Sequence, residues 1–69
     1  MTRAELRRVV RRRLIDSGLG YRAFVAELGL REGHIGHLSA FLKHGERPPP
    51  ALIAALGYRR VKSEQYEAS

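Results

Sequence analysis

Five arginines fall within seven residues, at Arg7, Arg8, Arg11, Arg12 and Arg13. Guanidinium groups at this density suit a polyanion, because each presents a planar fork of donors that matches phosphate or carboxylate oxygens. The whole chain holds 13 Lys and Arg against 7 Asp and Glu, a formal charge of +6. Such a balance points to nucleic acid or, less often, to an anionic membrane surface. The charge is unevenly spread. Residues 1–22 carry seven arginines against Glu5 and Asp16, whereas residues 23–46 carry Arg31 and Lys43 against Glu27, Glu32 and Glu46. Residues 47–69 carry Arg47, Arg59, Arg60 and Lys62 against Glu64 and Glu67. Positive charge therefore gathers toward the two ends.

Other chemistry is thin. His34, His37 and His44 suggest a three-imidazole metal site, but on one helix His34 and His44 stand about 15 Å apart along the axis, too far to share an ion. No metal is expected. With no cysteine, thiolate ligands, thiol nucleophiles and disulfides are excluded. Ser17 and Ser39 have no evident base and orienter, and no glycine loop leads into Lys-Ser or Lys-Thr. Neither an enzyme, a cofactor nor a small-molecule ligand is expected.

The elements that must position the basic residues read as helices. Thr2 and Glu5 have the spacing of a capping box, and Leu6, Val9, Val10 and Leu14 recur at helical spacing until Ser17-Gly18. A first helix over Arg3–Asp16 follows, with Arg7, Arg8, Arg11 and Arg12 on the face away from those apolar positions. That face is either solvated or turned to a polyanion. A second helix runs from Tyr21 to Leu28, with Phe24, Val25 and Leu28 inward, and Gly20 gives it a soft start. A third, from Arg31 or Glu32 to Lys43, places Ile35, Leu38, Phe41 and Leu42 on one side. Arg47-Pro48-Pro49-Pro50 cannot continue a helix, but Pro50 can open a fourth, with Leu52, Ile53 and Leu56 as its core face. Tyr58 to Tyr66 reads as an extended arm. The expected fold is all-α: a four-helix domain over residues 1–61, and a C-terminal arm over 62–69 that is partly disordered.

The second and third helices carry the most specific signal. Two short helices joined by a tight glycine turn can lay one helix in the major groove of DNA. Val25, Gly29, Leu30, Ile35 and Leu38 occupy the positions that such a unit needs for the turn and the crossing angle. Here the chain resembles the Cro and lambda-repressor helix-turn-helix family of small phage and bacterial regulators. The matching stretches are Ala26-Glu-Leu-Gly-Leu30, Glu32-Gly-His-Ile-Gly36 and Leu38-Ser-Ala-Phe-Leu42 with Gly45, followed by Arg47-Pro-Pro-Pro-Ala-Leu-Ile-Ala-Ala-Leu-Gly57. The resemblance spans Tyr21 to Val61.

Two departures from the family pattern leave two registers open. Arg31 stands where the family has a capping Ser or Thr, and the distance from Gly29 to Gly45 is about one helical turn longer than usual. In the ungapped register, which is preferred, Ile35 and Leu38 are the core pair. In the gapped one, Leu38 and Phe41 are the pair, the turn is enlarged, and the helix starts near His34. Gly33 and Gly36, each costing about 1 kcal/mol relative to Ala in a helix interior, argue for the second.

The resemblance implies a sequence-specific binder of double-stranded DNA, a Cro-like regulator and most simply a repressor. It assigns base contacts to Glu32, Gly36, His37 and Ala40. Chemically, His37 can bond a base or phosphate, Glu32 can accept from a cytosine amino group, and Ala40 can touch a thymine methyl. Arg31, Lys43 and Arg47 suit phosphate clamps, and Ser39 joins Lys43 at the centre in the gapped register. Family members commonly dimerise, so a homodimer is expected, formed only on DNA in one version. The implied setting is the cytoplasm of a bacterial or phage-infected cell, at the nucleoid. The rival from another class is a protein-interaction module whose helix 1, through Arg7, Arg8, Arg11 and Arg12, docks an acidic partner. An RNA or membrane-surface binder acting through the same helix is a third.

Length narrows the field further. A chain of 69 residues makes one domain, and near this size a fold buries only about 60% of its unfolded surface. No apolar run approaches the roughly 18 residues of a membrane span, and the basic N-terminus lacks the apolar core of a signal peptide. A soluble intracellular domain is expected, with no membrane partner.

Overall fold

The computed structural model describes all 69 residues, Met1–Ser69. Four helices, α1 (Arg3–Ser17), α2 (Tyr21–Glu27), α3 (Gly33–His44) and α4 (Pro50–Ala55), lead into two strands, β1 (Tyr58–Lys62) and β2 (Gln65–Ala68). The all-α expectation is therefore corrected. The C-terminal segment is no extended arm but an antiparallel hairpin, pairing Tyr58 with Ala68, Arg59 with Glu67 and Arg60 with Tyr66. Val61 is the extra residue of a bulge between Arg60 and Lys62. The expected boundary after Val61 falls inside β1. An isolated bridge, Thr2 to Gln65, sets the start of the chain against the outer edge of β2, where the Tyr66 N–H bonds to the Met1 carbonyl at 2.7 Å.

The hairpin has a physical reason to form. Tyr66 is the one large apolar side chain of β2, and it is 2% exposed within a core of Leu6, Val10, Phe24, Val25, Leu38, Phe41, Leu42, Leu52, Ile53 and Leu56. Folding β2 back onto β1 is what carries that ring inward. Val9, by contrast, is 39% exposed although its spacing placed it with the core of α1. Leu28 is only half-buried, packed at the margin of the core.

The start of α1 follows its sequence closely. The Thr2 hydroxyl accepts from the Glu5 N–H at 3.2 Å, and the Thr2 N–H donates to the Glu5 carboxylate at 2.9 Å. The Thr2 backbone amide, and after it the Thr2 hydroxyl, hold the Glu5 carboxyl below the usual glutamate range. A depressed carboxyl pKa contributes stability above the ordinary glutamate value, and this is lost as pH falls through the folded one. Glu5→Gln, which keeps the cap but cannot titrate, should flatten the dependence of melting temperature on pH below the ordinary glutamate pKa. An unchanged acid profile in that variant would remove Glu5 from the account.

The third helix corrects the preferred register. It begins at Gly33, with five residues between it and the end of α2, and its fully buried side chains are Leu38, Phe41 and Leu42, with Ile35 only half-buried. This matches the enlarged turn with Leu38 and Phe41 as the core pair. Gly29 turns the chain at φ 76°. Neither Arg31 nor Glu32 caps the helix with its side chain. The lead-in is instead a tight turn, with the His34 N–H on the Arg31 carbonyl at 3.0 Å and the Ile35 N–H on the Glu32 carbonyl at 2.9 Å.

Candidate nucleic-acid interface

At 100° per residue, the buried Leu38, Phe41 and Leu42 define one side of α3, and Gly36, Ala40 and Lys43 fall opposite them. Gly36 and Lys43 are exposed and Ala40 is half-buried. Ser39, half-buried, borders this face on one flank, and the exposed Gly33, His37 and His44 border it on the other. Five of the eight expected contact residues, Gly36, His37, Ser39, Ala40 and Lys43, thus share the outer surface of one helix. Glu32 and Arg31 lie in the turn before it, and Arg47 lies in the segment after it.

Partners already hold some of these groups. Glu32 accepts from Arg22 of α2 at 2.7 Å, an exposed pair that ties the turn to the preceding helix. The Lys43 ammonium stands 5.4 Å from the centre of the Tyr21 ring, a cation–π contact with the first residue of α2. His34 and His37 meet edge to face at 5.3 Å, and the His34 Nδ1 is buried without a hydrogen-bond partner. The histidines, carboxylates and other such side chains form no group of three able to hold a metal ion.

The arginines of α1 are where the helical wheel misleads. Arg7 does not stand in solvent: its Nε donates to the Leu42 carbonyl at 2.8 Å and its Nη2 to the Lys43 carbonyl at 3.1 Å. Arg11 donates to the same Leu42 carbonyl. The last carbonyls of a helix have no partner within it, and their partial negative charge favours cations. Gly45 closes α3 at φ 68°, a left-handed turn that glycine adopts without strain, and a Cβ built there would be in ordinary contact with the Arg7 guanidinium at 3.5 Å. Arg13 similarly reaches the Leu56 carbonyl at the end of α4, at 3.1 Å. Arg12 pairs with Asp16 at 3.2 Å on the surface, and Arg3 with Glu64 at 3.1 Å.

Six cations are left with neither a carboxylate nor a carbonyl: Arg8, Arg31, Lys43, Arg47, Arg60 and Lys62. Three of them, Arg31, Lys43 and Arg47, belong to α3 or its flanks. Arg60 was visible in the sequence only as part of the charge of the last third. Arg22, which holds Glu32, carried no signal at all, since an ion pair across ten residues and a turn has no fixed spacing.

Comparison with protein-family models, with curated proteins and with solved structures gives no match. No helix is long and apolar enough to cross a membrane.

Proposed function

We propose that this chain binds double-stranded DNA in a sequence-dependent way, as a Cro-like transcriptional regulator that lays α3 in the major groove and most simply represses. The observation that carries this reading is Gly36. It sits in the interior of α3 on the outward face, where glycine costs about 1 kcal/mol relative to alanine. Nothing in the fold asks for it. Its φ is not positive, and an added Cβ would meet no atom within 4 Å. Gly33 is equally open. A bare helix backbone in open space suits a partner that must approach it closely, and the base edges of a groove are such a partner. Arg31, Lys43 and Arg47 then stand at either end of the helix as phosphate contacts, with His37 and Ala40 toward the bases. Glu32 reaches a base by leaving Arg22.

Two copies on near-palindromic half-sites, about one helical turn (34–36 Å) or a multiple apart, complete the proposal. The rival docking role of α1 draws less support, because Arg7, Arg11 and Arg13 already serve carbonyls of the fold and Arg12 serves Asp16.

In vitro selection from random duplexes should return one enriched motif, and no enrichment would overturn the reading. Gly36→Ala should raise the melting temperature, by up to about 1 kcal/mol of stability, while weakening binding to that motif. Opposite signs from one methyl group are the signature of a helix kept bare for its partner. His37→Ala should change which base pairs are preferred. Arg31→Ala, Lys43→Ala and Arg47→Ala should weaken all duplexes alike, each flattening the slope of log K against log salt by about 0.9.

A further inference from the structure

A groove of about 520 Å³ lies between α4 and β1, and of its lining residues the DNA reading uses only Arg47, in the segment before α4. Pro48 and Ile53 give it an apolar floor, Tyr58 one wall, and Arg47, Arg59 and Arg60 a basic rim. Arg59 is paired with Glu67 across the hairpin, while Arg47 and Arg60 have no carboxylate. β1 is also the uncovered edge of the sheet. The outer edge of β2 is taken by Met1 and Thr2, but the sheet has only two strands and nothing pairs with the far side of β1. The Ser69 N–H bonds to the Gly57 carbonyl at 3.0 Å. In an antiparallel ladder, bonded pairs recur at every second residue, so Arg59 faces inward to β2. Tyr58 and Arg60 therefore turn their backbone N–H and C=O groups outward, away from β2, and both residues line the groove.

We propose that this edge takes an extended acidic peptide segment of a partner protein as an added strand, its backbone on Tyr58 and Arg60, its carboxylates on Arg47 and Arg60, and its alternate apolar side chains on Pro48 and Ile53. Strand addition draws affinity from main-chain hydrogen bonds and specificity from alternate side-chain pockets, and this groove supplies both. A second copy of β1 fits poorly, because it would set Arg59, Arg60 and Lys62 against the same charges, and like charges across a strand pair repel. A phosphodiester backbone fits poorly too, because phosphate accepts hydrogen bonds but has no N–H for the strand's carbonyls and nothing apolar for the floor.

The test titrates the ¹⁵N-labelled full chain with a capped heptapeptide of alternating Glu and Val. Controls are its Lys–Val counterpart, a version N-methylated at every second residue, and a short DNA duplex. The Glu–Val peptide should saturably shift the Tyr58 and Arg60 amide signals and slow exchange of the outward amides at least tenfold. The Lys–Val peptide should not bind, N-methylation should weaken binding at least tenfold, and Arg60→Glu should do the same while leaving the rest of the amide spectrum in place. Equal binding of the N-methylated peptide would show charge attraction without strand addition and overturn the proposal. So would the same shifts produced by the duplex, or an Arg60→Glu variant that binds as before. The peptide and Arg60→Glu outcomes do not depend on whether α3 reads DNA.

Discussion

Tyr66→Ala is expected to lower the free energy of unfolding by about 3–5 kcal/mol, the range for truncating a buried aromatic side chain. The ring is 2% exposed and packs in the same core as Leu6, Val10 and the apolar face of α4. At 0.05–0.15 kcal/mol per residue, a domain of this size holds roughly 3–10 kcal/mol in all, so the loss is about a third of the whole or more and unfolds the variant outright at the low end of that range. Urea titration followed by circular dichroism measures the loss. Val61→Ala is the control on the same hairpin: Val61 is 51% exposed, and its truncation should cost under about 0.5 kcal/mol. A Tyr66→Ala variant as stable as the Val61→Ala one would mean that the hairpin is not part of the core.

The double variant Arg7→Met, Arg11→Met should cost about 1–2 kcal/mol, chiefly through the half-buried Leu42 carbonyl it leaves without a donor, since the exposed Lys43 carbonyl can turn to water. Methionine keeps much of the aliphatic stem, so packing along α1 changes little and the loss reports the hydrogen bonds. Charged donors to the end of a helix also gain from its dipole, by about 0.3–1 kcal/mol, which places this effect above that of any exposed arginine. Arg8→Met, at a position with no partner in the fold, should change stability by less than about 0.5 kcal/mol. The DNA side gives the opposite ranking to a phosphate-binding helix. If Arg7 and Arg11 are fastened to α3, the salt slope of duplex binding by a still-folded double variant should stay as it is. A slope flatter by about 1.8, two phosphate contacts at about 0.9 each, together with unchanged melting, would put these arginines on DNA instead.

Helix periodicity made α1, α2 and α4 legible to within a residue or two, because apolar spacing and caps are local signals. The hairpin was not, for reasons visible in its residues. β2 contributes a single large apolar side chain, so no alternation stands out. Its turn uses Ser63 and Glu64, with Glu64 at φ 69°, where an asparagine or glycine would have announced a hairpin. The start of α3 was ambiguous because Arg31 and Glu32 neither cap nor forbid a helix, and Arg22 decides where the Glu32 carboxylate goes. Arg7 and Arg11 show the limit of a helical wheel. It gives the direction of a Cβ, but an arginine stem reaches several ångströms from there and ends wherever unpaired carbonyls collect. Part of the outer face of α3 was readable in composition, since Gly36, Ala40 and Lys43 are outward in either register, whereas His37 ends at its flank.

The pairing of Met1 and Thr2 with β2 also has a consequence for the order of folding. The contact from Tyr66 to Met1 joins residues separated by nearly the whole chain, so it closes the largest loop the molecule contains and carries the greatest entropy of closure. The four helices draw mainly on contacts nearer in sequence and can collapse together first, which favours a fast early phase. The sheet then seals a preformed helical assembly instead of nucleating it. In kinetic terms, Tyr66→Ala should act on the unfolding limb of the chevron and leave the refolding limb almost untouched. The strand that anchors both chain ends would therefore set how long the native state lasts, and the helices how quickly it is reached.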